Sequence, residues 1–176
     1  MDHLFGVERL PELDLQAVNG LYDTSLRKLD RITGSLLAEL SARGVADDTV
    51  IVLVSDHGEM LGEHDLVGHE YALYEELIRV PLLIRYPPEL EPGARIDVPA
   101  QIHDVHRSIL ELTGLWPQGA NGTTEDSRSL LHPERIEPGR PLLAEYIAPK
   151  RGHLDHVLAR HPGAVEEDHW LRPLRA

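Results

Sequence analysis

Residues 50–64 read VIVLVSDHGEMLGEH. Val50 to Val54 form an unbroken apolar run, four of them β-branched. Such a run suits a central strand of a parallel sheet, covered on both faces. It ends at once in Ser55, Asp56, His57, Gly58 and Glu59. In open α/β sheets, ligands collect beyond the carboxyl ends of the strands. Asp supplies a hard oxygen and His a borderline nitrogen, so the pair Asp56–His57 can hold a divalent cation without cysteine. An isolated Asp-His pair is more often a turn cap beside a surface imidazole. Here Glu59, Glu63 and His64 follow closely and add donor groups, with their individual roles open. Gly58 permits a turn that swings both side chains toward one point.

His69 is the next candidate. It sits in VGHEYALYEE, between Gly68 and a short helical pattern around Tyr74 to Leu77. A histidine there can hydrogen-bond an anionic group or give a proton to a leaving oxygen. The ordinary alternative is a solvated loop histidine.

Upstream, Leu15, Val18, Tyr22, Leu26, Leu29, Ile32, Leu36, Leu37 and Leu40 recur at three- and four-residue steps, which predicts an amphipathic helix. Asp14 is its expected N-cap and Gly44 its stop, while Gly20 and Gly34 mark a break or a close contact. Downstream, VPLLIRYP reads as a second buried strand bounded by prolines. IHDVHRSILELTG, residues 102–114, reads as a helix capped by Asp104 and stopped by Gly114. Residues 115–139 are rich in turn formers and are expected to be a surface loop, and RPLLAEY is a candidate strand. The order helix, strand, strand, helix predicts an α/β protein with a mostly parallel sheet flanked by helices.

The chain has 176 residues, enough for one domain or part of a larger one. Its formal charge is −13, which argues against nucleic acid or an anionic membrane as partner. An anionic small molecule stays compatible, because a metal ion can reverse the local field. There is no cysteine, so disulfides and thiolate metal sites are excluded. The chain carries no transmembrane stretch and no signal peptide, and its compartment and oligomeric state are open.

Residues 49–87, TVIVLVSDHGEMLGEHDLVGHEYALYEELIRVPLLIRYP, resemble the C-terminal motif region of the sulfatase family, within the alkaline-phosphatase superfamily. The order of elements is the family's: apolar strand, Ser-Asp-His-Gly-Glu, Gly-Glu-His, Gly-His, Tyr-Glu-Glu, Arg-Val-Pro, apolar strand. YDTSLRKLDRITGSLLAEL, IHDVHRSILELTG and RPLLAEY extend the resemblance to residues 15–146. It implies a partial alkaline-phosphatase-like domain over 15–146, after a leading tail at 1–14 and before an unassigned segment at 147–176.

The resemblance further implies a metal-dependent hydrolase of small-molecule sulfate esters. Asp56 and His57 would be metal ligands, and His69 would contact the ester as a substrate-binding and catalytic group. The implied cofactor is one divalent cation, calcium first, with manganese or zinc favoured by the imidazole at position 57. The family's nucleophile, a formylglycine made from Cys or Ser in a Cys/Ser-x-Pro-x-Arg motif, has no match here and is expected outside this chain. The paired N-terminal aspartates are also missing. The expectation is therefore a fragment with part of a metal site, inactive alone and prone to aggregate through exposed sheet faces. The alternatives are a phosphonate monoester or phosphodiester hydrolase of the same superfamily, or a non-catalytic remnant.

Overall fold

The computed structural model describes residues 9–70, 72–116, 127–146, 155 and 159–160. In chain order the elements are helix α1 (Glu12–Ala42), strands β1 (Ile51–Val54), β2 (Met60–Leu61) and β3 (Val67–Gly68), helix α2 (Glu75–Ile78), strand β4 (Leu82–Arg85) and helix α3 (Ile102–Leu112). Single 3-10 turns occur at Glu63–Asp65 and Pro133–Arg135. They form two compact units: Met1–Leu36 with His57–Val80 and Ala144–Ala176, and Leu37–Asp56 with Pro81–Leu143. The expected segment 147–176 lies almost wholly outside the described residues.

α1 confirms the predicted periodicity and runs 31 residues, about 46 Å at 1.5 Å per residue. It starts two residues before Asp14, which therefore sits in the first turn rather than at the cap. Gly44, with φ of 70°, ends it as expected. Gly20 and Gly34 mark neither a break nor a contact: the helix runs through both, and a Cβ would meet nothing within 4 Å. No residue of α1 is buried, and Leu21, Leu29, Ile32 and Leu36 are well exposed.

In the first unit, residues 57–80 fold onto themselves. β2 and β3 pair antiparallel, Met60 opposite Gly68 and Leu61 opposite Val67. Met60, Leu66, Ala72 and Leu77 form a small buried cluster against which Tyr74 packs. Each large apolar side chain in it contributes roughly 1.5–3 kcal/mol. A sharp left-handed turn at His64 (φ 53°) and Asp65 (φ 62°) closes the hairpin. The His64 ring stacks on Tyr74 at 3.8 Å, and the Glu63 carboxylate accepts the Leu61 N–H at 2.7 Å.

The second unit pairs β1 with β4, Val52 opposite Ile84 and Leu53 opposite Leu83. The pairing is antiparallel, which corrects the expected mostly parallel arrangement for both sheets of the described residues. A parallel pair needs a long crossover, usually helical. The segment joining β1 to β4 holds a short hairpin and one turn of helix instead. Coverage on both faces is corrected too. Val52, Leu82 and Ile84 pack on a buried cluster of Val105, Leu130 and Ile136, as do Val98 and Ile109, whereas Leu53 and Leu83 on the other face are 42% and 59% exposed.

α3 spans the predicted range, but Gln101 is its N-cap and Asp104 sits three residues on, accepting the Gln101 N–H at 2.8 Å. Asp104 also accepts the Arg128 N–H at 2.7 Å and both arms of the Arg140 guanidinium at 2.7 and 3.0 Å. Its carboxylate is fully buried. Burial pushes this carboxyl up, but Arg140 and the Arg128 and Gln101 N–H groups outweigh it and hold it below the usual carboxylate range. Ser108 donates to the Asp104 carbonyl at 2.7 Å and accepts the Leu130 N–H at 2.9 Å. These bonds draw residues 127–130 inward, so Ser127, Ser129 and Leu130 are buried where a surface loop was expected. RPLLAEY is not a strand: residues 140–146 are irregular, and Arg140 is its buried anchor.

Candidate metal centre

The first unit gathers His57, Glu59 and His69. The His57 and His69 rings stack with centroids 4.2 Å apart and an interplanar angle of 24°. The His69 Nδ1 lies 2.9 Å from Glu59 Oε2. The His57 Nδ1 lies 2.8 Å from the Gly58 carbonyl oxygen. One ligand atom from each of the three side chains falls within 4.8 Å of the others. Two imidazoles and a carboxylate make a donor set that fits a divalent cation.

Each member has a local cause. Gly58 donates its N–H to the Leu77 carbonyl at 2.8 Å, so the chain passes directly against α2 at Glu76 and Leu77. A Cβ there would lie 1.8 Å from the Glu76 carbonyl oxygen, which only glycine avoids. The requirement is close approach, where the sequence pointed to turn freedom. Glu59 is positioned just before β2 and His69 just after β3, so the antiparallel pair brings the two together.

Asp56 follows Ser55 at the end of β1 and is exposed, in the second unit; His57 opens the corresponding segment of the first. His57 and His69, both named from sequence, are therefore joined by contact. Glu59, whose role the sequence left open, is the carboxylate that holds His69. The pairing of Glu59 with His69 follows from the hairpin register, Met60 opposite Gly68, which residue order alone does not give. His64 belongs to a different pairing: its Nε2 lies 3.6 Å from Glu76 Oε2.

A family model described as Sulfatase matches residues 11–115, and the chain belongs to that family. An ulvan-active sulfatase of Formosa agariphila is 34% identical over 126 residues, covering 70% of this chain and 24% of that protein. An N-acetylglucosamine-6-O-sulfatase of Bacteroides thetaiotaomicron is 30% identical over 151 residues, covering 85% of this chain and 26% of its own. The multifunctional alkaline phosphatase superfamily protein PehA of Trinickia caryophylli is 33% identical over 128 residues, covering 69% and 23%. The chain thus spans about a quarter of the length of these curated relatives. No solved structure matches it. Among the described residues, no helix is long and apolar enough to cross a membrane.

Proposed function

We propose that this chain supplies one part of a cation-dependent sulfate-ester hydrolase site. Asp56 and His57 are ligands to a divalent cation, and His69 contacts the ester and donates a proton to its leaving oxygen. The observation that carries the reading is the ring-on-ring contact of His57 and His69 at 4.2 Å, which makes the ligand and the ester contact neighbours. A bound cation would polarise the ester oxygens and offset the charge developing on them. The chain's own residues do the positioning. Glu59 orients the His69 ring, and Gly58 lets the segment carrying His57 lie against α2. Calcium is the first choice of cation, with manganese or zinc as alternatives. The formylglycine nucleophile comes from outside this chain, and the 176-residue chain alone has no turnover.

The segment from Glu59 to Glu76 carries six carboxylates and no Lys or Arg. An anionic ester approaches such a surface only after a cation has reversed the local field. Similarity to PehA favours a second reading, a phosphonate monoester or phosphodiester hydrolase with the same residues in the same roles.

Thermal melting of the chain with millimolar calcium or manganese tests the ligand assignment. A rise in Tm that vanishes in Asp56→Ala and His57→Ala, and survives in His69→Ala, is expected. Absence of any rise with either ion overturns the cation assignment. Nitrophenyl sulfate turnover by the purified chain, abolished in Asp56→Ala, would show a complete site and sink the partial-site reading.

A further inference from the structure

The second unit carries a cluster of positive charge that the proposed hydrolase site does not use. Arg107 and Glu111 of α3, with Arg128, Ser129, His132 and Arg135, line a cavity of about 70 Å³. Three guanidinium groups share it with one carboxylate, in a chain whose formal charge is −13. Two of the three are fixed against the same atom. Arg107 Nη1 donates to the Ser127 carbonyl at 3.0 Å, and Arg128 Nη1 donates to that oxygen at 3.3 Å. Arg107 is held further by its Nε, 3.0 Å from Glu111 Oε1, and by its stack over Trp116 at 4.9 Å. Those bonds use Nε and Nη1 and, among the described residues, leave the Nη2 donors of Arg107 without a hydrogen bond. Burial pushes the Glu111 carboxyl up, but the Ser129 hydroxyl and Arg107 outweigh it and hold it below the usual carboxylate range. Glu111 is therefore ionised and offsets one guanidinium. Arg135 meets Glu134 at 3.7 Å with both side chains well exposed, a weak pair. The cluster is left with a positive excess.

We propose that this cavity binds one small divalent oxoanion, inorganic sulfate or phosphate, through Arg107, Arg128 and Arg135. Guanidinium forks match the oxygens of such ions with paired, charge-assisted hydrogen bonds. Two of the forks are already oriented by the Ser127 carbonyl, and one of them by Trp116 as well, so less side-chain freedom is lost on binding. An anion beside Arg107 and Arg128 also offsets the repulsion of two like charges drawn to one carbonyl oxygen. Size selects the free ion: drug-sized ligands need about 300 Å³ or more, against about 70 Å³ here. No residue of the proposed hydrolase site takes part, and no cation is needed.

The test uses the whole 176-residue chain at about pH 8 in EDTA, where arginine stays charged and no divalent cation can hold the anion. On the wild-type chain, guanidinium nitrogen NMR is expected to show saturable shifts at Arg107 and Arg128 with sodium sulfate, and the same shifts with phosphate. Sodium chloride at matched ionic strength is expected not to produce them. Methyl sulfate, with one charge fewer, is expected to bind more weakly than sulfate. By calorimetry, Arg128→Ala and Arg107→Gln are each expected to weaken sulfate about tenfold or more, and Arg135→Ala about two- to fivefold. Glu111→Gln removes the competing carboxylate and is expected to tighten sulfate about threefold or more. Chloride reproducing the shifts, or shifts confined to other residues, overturns the proposal; both are wild-type measurements and decide the matter even if a variant unfolds. So does sulfate binding that survives Arg128→Ala and Arg107→Gln, or that fails to tighten in Glu111→Gln. Methyl sulfate bound more tightly than sulfate overturns the assignment to the free ion.

Discussion

Asp104 and Glu59 are both carboxylates bonded to a nitrogen-bearing side chain, and they do opposite things. Asp104 is fully buried and accepts four hydrogen bonds, two from the backbone and two from Arg140. Every acceptor position that geometry offers is used, so the group joins α3 to segments 24 and 36 residues away and has nothing left to give a ligand. Glu59 is 27% exposed and accepts one bond from His69. It keeps acceptor capacity and stands beside two stacked imidazoles. A saturated buried charge organises a fold; a partly satisfied exposed one is available for chemistry.

Asp104→Ala should break the comparison most violently. It takes the carboxylate away from Arg140, a guanidinium only 6% exposed. A loss of about 3–5 kcal/mol in urea unfolding is expected. The pH dependence sharpens the same point. The folded Asp104 pKa lies below its unfolded value, so its contribution is complete above about pH 4. That contribution disappears as pH falls through the lower folded value. Melting of the wild type should therefore drop steeply in acid, and Asp104→Asn should flatten that part of the curve.

Smaller effects follow. Gly58→Ala forces a Cβ onto the Glu76 carbonyl oxygen, and a cost of about 1–3 kcal/mol is expected by the same measurement. Ser108→Ala leaves the buried Leu130 N–H without its acceptor, for about 1–2 kcal/mol. His69→Ala should change stability by no more than about 0.5 kcal/mol, because the ring is exposed. A large loss there would show that the histidine cluster holds the fold together and would erase the contrast with Asp104.

Much of this was legible from residue order. The three-and-four spacing of α1 and the apolar runs of β1 and β4 are local signals, set by neighbours along the chain. Asp56, His57 and His69 could be named because a polar cluster at the end of an apolar strand is unusual chemistry. The direction of β4 was not legible, because an apolar run reads the same parallel or antiparallel. Nor was the inward path of 127–130, whose serines look like loop residues until Asp104 and Ser108 are seen to bind the Arg128 and Leu130 N–H groups.

Sequence alone therefore determined the long helices, the apolar strands β1 and β4, and the family. Tertiary structure decided the partners: antiparallel β2 and β3 bring Glu59 to His69, and Arg140 comes to Asp104 across 36 residues. The physical reason is range. Periodicity is set by neighbours along the chain, whereas a hydrogen bond between distant residues depends on register and burial, which only the folded backbone sets.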